Sequence, residues 1–167
     1  MKYLVVEDEL ISRRVLGDLL LPFGECDYAV NGQEAIDLFR TAHELNRPYD
    51  VIFMDIMMPV VDGLEALLKI RSIEKSMKIP PSLAVTVLVT TALEDPDTII
   101  KAFVEGNADS FLVKPIHRER LLREMAALKL IVSPMASEKN LICLDRSRHR
   151  NRESEALSLV RAAVCAE

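Results

Sequence analysis

Apolar and polar positions alternate along this chain in blocks of two kinds. "KYLVV" (Lys2 to Val6) is a short apolar run and reads as a strand. Ile11, Val15 and Leu19 then recur at helical spacing and mark a helical face, stopped by Pro22. "CDYAV" is a weaker strand, and "NGQEAIDLFRTAH" a helix capped by Asn31 with Ile36, Phe39 and His43 along one side. "DVIFMD" is apolar up to its final acid, and Gly63 leads into a helix over about Leu64 to Ile73. "EKSMKIPPS" is polar and broken by two prolines, which predicts a loop. "LAVTVLVT" is another apolar strand, Asp95 before Pro96 a helix start, and Gly106 a helix stop. "SFLV" is the last strand, followed by a helix carrying Leu121, Leu122, Met125 and Leu128. Strands that are apolar throughout, separated by helices, predict an α/β fold, (βα)5, with a parallel sheet covered on both faces.

This pattern ends near Val132, so residues 1–132 are expected to form one domain and 133–167 a C-terminal extension. The extension opens polar and Arg-rich ("DRSRHRNRES") and ends in a short amphipathic stretch, Ser154 to Ala166, with Leu157, Val160 and Val164 on one side. That stretch is either a helix docked on a protein surface or a frayed tail. It is too short for a second folded output domain, so the chain reads as a stand-alone unit or a piece of a longer protein. The Arg-rich run could touch nucleic acid. However, the extension holds six Lys/Arg against five Asp/Glu, which favours a solvated linker.

Composition narrows the class. Half of the 167 residues are apolar and 28% are charged, as in a soluble globular protein with a real core. A net charge of -5 argues against a general nucleic-acid binder. The N-terminus turns acidic after five residues, unlike a signal peptide, and "SLAVTVLVTTAL" is too short and Thr-rich to span a membrane. Cys26, Cys143 and Cys165 form no C-x-x-C pair, so reduced thiols in the cytoplasm are expected.

The residues able to do chemistry stand at the strand ends. Glu7 and Asp8 come after the first strand, Asp55 after the third, Thr90 and Thr91 after the fourth, and Lys114 after the fifth. In a doubly wound sheet ligands bind beyond the carboxyl ends of the strands, so these residues project to one edge. Loops at strand ends are polar anyway, and any one of these residues means little; together they mean more. Three acids gathered there would repel, each pair by about 3 kcal/mol at ~5 Å and an effective dielectric of ~20. A divalent cation would relieve this, and carboxylates with water suit Mg²⁺. A flavin phosphate would be repelled by "EDEL", and the glycine motif of a dinucleotide site is absent. A phosphatase using a strand-end Asp nucleophile of the D-x-D kind needs a second acid two residues on, where this chain has Met57.

Four segments at these strand ends, "LVVEDE", "MDIMMPVVDG", "LVTTA" and "FLVKPI", together resemble the receiver domain of two-component response regulators, over nearly four-fifths of the chain. The resemblance implies a doubly wound five-stranded parallel sheet in the flavodoxin-like order 2-1-3-4-5. It implies Asp55 as phosphoacceptor, Asp8 and the Met57 carbonyl as Mg²⁺ ligands beside Asp55, and Glu7 acting through a water. Thr91 would hold a phosphoryl oxygen, Lys114 would pair with the group, and the Lys114–Pro115 bond would be cis. Phe111 would be the switch aromatic, with Ala92, Met57 and Leu93 governing access. The donor would be a histidine kinase or a histidine phosphotransfer protein. In the family the first helix docks that partner, so Arg13 and Arg14 on its outer face are either contacts or simply solvated. Glu7 in place of the commoner Asp, the "EKSMKIPPS" loop and the extension depart from the pattern. The alternative is a pseudo-receiver, a binding module with this fold that is not phosphorylated.

Overall fold

The structure, a computed structural model, describes residues 1–92 and 96–132. Leu93, Asp95, Cys143, Cys165 and the expected tail helix lie outside the described residues. The elements run β1 (Lys2–Val6), α1 (Leu10–Leu20), a 3₁₀ turn (Leu21–Phe23), β2 (Glu25–Ala29), α2 (Gly32–Glu44), β3 (Val51–Asp55), α3 (Gly63–Ser76), β4 (Thr86–Thr91), α4 (Pro96–Val104), β5 (Ser110–Val113) and α5 (Arg118–Ala127). All strand pairs are parallel and the sheet order is β2-β1-β3-β4-β5.

Strand side chains alternate between faces, so one apolar run feeds two cores. Leu4, Val6, Ile52, Met54, Val87 and Val89 pack with α2, α3 and α4 through residues such as Phe39, Leu67, Ile70 and Phe103. Tyr3, Val5, Val51, Phe53, Leu88 and Leu112 pack on the other face with Leu16 and Leu20 of α1 and Leu121 and Met125 of α5. Three helices start on side-chain caps that satisfy otherwise unpaired amides. Glu9 accepts from the amides of Ile11 (3.0 Å) and Ser12 (2.6 Å), Asn31 from Glu34, and Asp62 from Glu65.

Two expectations are corrected. The inward face of α1 is Leu16, Gly17 and Leu20, whereas Ile11 is 69% and Val15 46% exposed. The helix is apolar on more than one side, and Gly17 settles its rotation. The Tyr28 ring from β2 lies where a Cβ at Gly17 would be, so Gly17 must face the sheet. The loop before β4 is also shorter than the sequence suggests. Glu74 belongs to α3 and is buried, because Arg71 pairs with it at 2.9 Å and the Val85 amide donates to it at 2.7 Å.

Candidate functional site

β3 is buried over all five residues, which fixes its last side chain, Asp55, at the carboxyl edge of the sheet with 4% exposure. The chain then turns sharply. The Gly63 amide donates to the Ile56 carbonyl at 2.9 Å, and a Cβ at Gly63 would collide with the Asp55 carbonyl. Glycine is required there for close approach. Within the turn, Met57 donates its amide to Asp55 Oδ1 at 3.3 Å while its side chain is 75% exposed.

Glu7 and Asp8 leave β1 beside Asp55. One carboxylate oxygen from each of Glu7, Asp8 and Asp55 lies within 4.8 Å of the others, so the three could hold a metal ion. Hard carboxylate oxygens, two of the residues buried and Asp8 open to solvent, make a donor set fit for a hard divalent cation. Lys114, directly after β5, reaches across. Its Nζ lies 2.7 Å from Asp55 Oδ2 and 2.8 and 2.7 Å from the two Glu7 oxygens. Burial pushes the Glu7 carboxyl up, partly opposed by Lys114. Burial alone would lower Lys114, but the Asp55 and Glu7 carboxylates outweigh it and hold the ammonium above its ordinary value.

Thr90 and Thr91 sit inside β4 rather than after it. Both are buried, Thr90 is in register with Asp55, and the Thr91 carbonyl accepts from the Lys114 amide at 2.8 Å. The Lys114–Pro115 bond is cis. Phe111 on β5 is buried, edge-on to Phe103 at 6.0 Å, with the Arg120 guanidinium 5.8 Å from its ring. Ala92 is exposed at the end of β4. Glu7, Asp8, Asp55 and Lys114 therefore meet as expected, with the Thr91 segment beside them.

Sequence reasoning missed Arg13, placed on the outer face of α1. Instead its Nη1 turns back and donates to the carbonyls of Glu7 (2.7 Å) and Asp8 (3.2 Å). The one sequence signal was position: an arginine in the first helical turn opposes the helix dipole and needs a local reason. The exposure of the apolar residues Leu10, Ile11 and Val15 on α1 and Val60 in the turn after β3 was also not expected. Among the described residues no helix is long and apolar enough to cross a membrane.

The family model of the response regulator receiver domain matches residues 3–126. Chemotaxis protein CheY of Treponema pallidum is 30% identical over 129 residues, 76% of this chain and 81% of that protein. Two-component response regulator ORR41 of Oryza sativa subsp. japonica is 33% identical over 132 residues, 77% of this chain and 94% of that protein. Probable histidine kinase 2 of Oryza sativa subsp. indica is 34% identical across 73% of this chain, which spans only 12% of that protein's length. In three dimensions, the receiver domain of Ssk1 from Saccharomyces cerevisiae, crystallised with the histidine phosphotransfer protein Ypd1, superposes with a TM-score of 0.66. It is 26% identical, covering 83% of this chain and 94% of the other. The receiver domain of the Arabidopsis thaliana histidine kinase CKI1, complexed with Mg²⁺ and BeF₃⁻, gives a TM-score of 0.62 at 28% identity, with coverages of 75% and 89%. The acids at one sheet edge, the lysine that bridges two of them and the matched family together show that this chain belongs to the response regulator receiver domains.

Proposed function

We propose that this receiver domain takes a phosphoryl group from a phosphohistidine donor onto Asp55 and signals by changing shape. The observation that carries this is Asp55 itself, a buried strand-end carboxylate 2.7 Å from the Lys114 ammonium and grouped with Glu7 and Asp8. An Asp55 oxygen forms the new bond to phosphorus as the phosphorus–nitrogen bond of the donor breaks. The imidazole leaves with that electron pair and then takes up a proton. Lys114 moves its charge toward the transferring oxygens, and the Thr91 hydroxyl donates to one of them. Mg²⁺ held by Asp8, Asp55 and the Met57 carbonyl, with Glu7 acting through water, would supply further charge neutralisation. No acid two residues after Asp55 stands ready to finish a turnover, so the group stays as a signal.

The partner is a histidine kinase or a histidine phosphotransfer protein, supported by the likeness to a receiver crystallised with such a protein and to sequences named as histidine kinases. The test is incubation with acetyl phosphate and Mg²⁺, read by intact mass. Wild type should gain one phosphoryl group, and Asp55→Asn should stay folded and gain none. A wild-type chain that gains no mass would instead establish the pseudo-receiver reading.

A further inference from the structure

We infer that Arg13 is a positioning residue for the metal site, because it fixes the two peptide planes on either side of Asp8. Resting on the reading of Asp8 as a direct metal ligand, this assigns Arg13 to the stage before chemistry. Three consecutive carbonyls converge on this residue. Its guanidinium Nη1 donates to Glu7 O at 2.7 Å and Asp8 O at 3.2 Å, and its own amide donates to Glu9 O at 3.0 Å. The Glu7 carbonyl lies in the plane joining residues 7 and 8, and the Asp8 carbonyl in the plane joining 8 and 9. Peptide units are rigid, so only the two soft dihedrals of Asp8 separate those planes. Holding both carbonyls sets those dihedrals, and with them the direction of the Asp8 Cα–Cβ bond.

Asp8 needs that support more than its neighbours do. Glu7 is 2% exposed and gripped by Lys114, and Asp55 ends a fully buried strand. Asp8 is exposed, so packing does not orient it. The next residue, Glu9, is committed to capping α1 through both carboxylate oxygens. Electrostatics alone disfavours this arrangement. A cation in the first turn opposes the helix dipole, and a cation behind three acids weakens their attraction for a metal ion. Arg14, next in sequence, is exposed and serves as the internal control.

That opposition of signs makes the test decisive. Mg²⁺ alone is titrated into wild type, Arg13→Met, Arg13→Gln, Arg13→Lys and Arg14→Ala, with affinity read from amide shifts and folding from circular dichroism. Met keeps the packed stem without a donor, and Gln cannot span both carbonyls; either decides the question if the other fails to fold. A positioning role predicts Mg²⁺ binding about tenfold weaker in both, the scale seen for groups that orient metal ligands. Lys should restore part of it, and Arg14→Ala should match wild type. A charge effect alone predicts tighter binding on loss of Arg13. Binding at or above wild-type strength in the folded Met or Gln variant therefore overturns the proposal. A wild-type chain that binds no Mg²⁺ removes the proposed function and this role with it; wild-type binding with unchanged variants removes only this role.

Discussion

Val60 holds a backbone angle that its side chain resists. Its φ is 72°, in the left-handed region that β-branched residues avoid, and it stands 83% exposed at the centre of a tight turn in which the Val61 amide donates to the Pro59 carbonyl. The surroundings impose the turn, since the Gly32 amide donates to the Val61 carbonyl at 2.9 Å. Such strain costs about 1–3 kcal/mol, and glycine would relieve it while losing about 0.5–1 kcal/mol of chain entropy. Val60→Gly should therefore stabilise the fold by about 1 kcal/mol in urea unfolding; a loss of stability would contradict the strain. Three residues earlier, Met57 flanks Asp55 with an exposed side chain that cannot hold a water in line. The phosphorylated state should accordingly be long-lived. Met57→Asn should speed its loss about fivefold, the effect of one hydrogen bond of about 1 kcal/mol to the attacking water. Slower loss in the variant would refute this. The acids and Lys114 were legible because each breaks an apolar run at a strand end. Arg13 and Val60 were not: nothing in a sequence separates an arginine that folds back onto its own loop from a solvated one, or a strained valine from a relaxed one.

The placement of α3 and α4 depends on one arginine far from Asp55. Arg71 donates through Nε to Gly106 O, through Nη1 to Glu74 and Val85 O, and through Nη2 to Asn107 O and Asp109. It thus ties α3 to the chain leaving α4 and to the approaches of β4 and β5. Glu74, 5% exposed, also accepts from the Val85 amide. Removing the guanidinium leaves a buried carboxylate and several carbonyls short of partners. Arg71→Ala should cost about 3–5 kcal/mol in urea unfolding, and adding Glu74→Ala should cost much less than its single effect. Additive losses would show that the two do not form one unit. On the proposed function, phosphorylation acts through Thr91 at the end of β4 and through Phe111, which packs edge-on to Phe103 of α4 at 6.0 Å. Beryllofluoride with Mg²⁺ should shift the Thr91 and Phe111 amides together; unchanged amides there would dissociate the two. Element types and order were readable from the blocks of apolar residues. The burial of Glu74 was not, because a polar run reads as a loop until its tertiary partner is seen. The rotation of α1 was not either, since two apolar stripes compete and the deciding contact, Tyr28 on Gly17, comes from another element.

On the scale of the whole domain, the sheet separates two edges with different tasks. The acidic cluster and Lys114 stand at the carboxyl edge, while toward the opposite edge, alongside the Arg71 network and the Lys2–Asp27 pair, lie neutral acids of high pKa. Tyr3 and Cys26 are in register on β1 and β2, and Tyr49 lies just before β3. Burial, with nearby acidic groups, pushes the Tyr3 hydroxyl up to about 12 from 10.0 and the Cys26 thiol up to about 11 from 9.0. Tyr49 is raised further by burial and by its 2.7 Å hydrogen bond to Asp27, whose carboxylate also pairs with Lys2 at 3.0 Å. The folded chain therefore binds more protons than the unfolded chain wherever these groups titrate, and stability must fall as pH rises. The contribution is complete well below pH 9.0, the pH at which the unfolded thiol is half ionised, and is lost as pH climbs through the folded values toward about 12. Each group removes at most about 1.4 kcal/mol per pH unit within its own window. Urea midpoints measured from pH 8 to pH 11 should therefore decline, increasingly steeply above pH 10, where the tyrosines join the thiol. Tyr49→Phe should lose about 1 kcal/mol at neutral pH with its hydrogen bond. The same variant should decline less between pH 10 and pH 11, having one fewer proton to lose. A flat profile in wild type, or one as steep in Tyr49→Phe, would show that this edge is not what limits the domain in alkali.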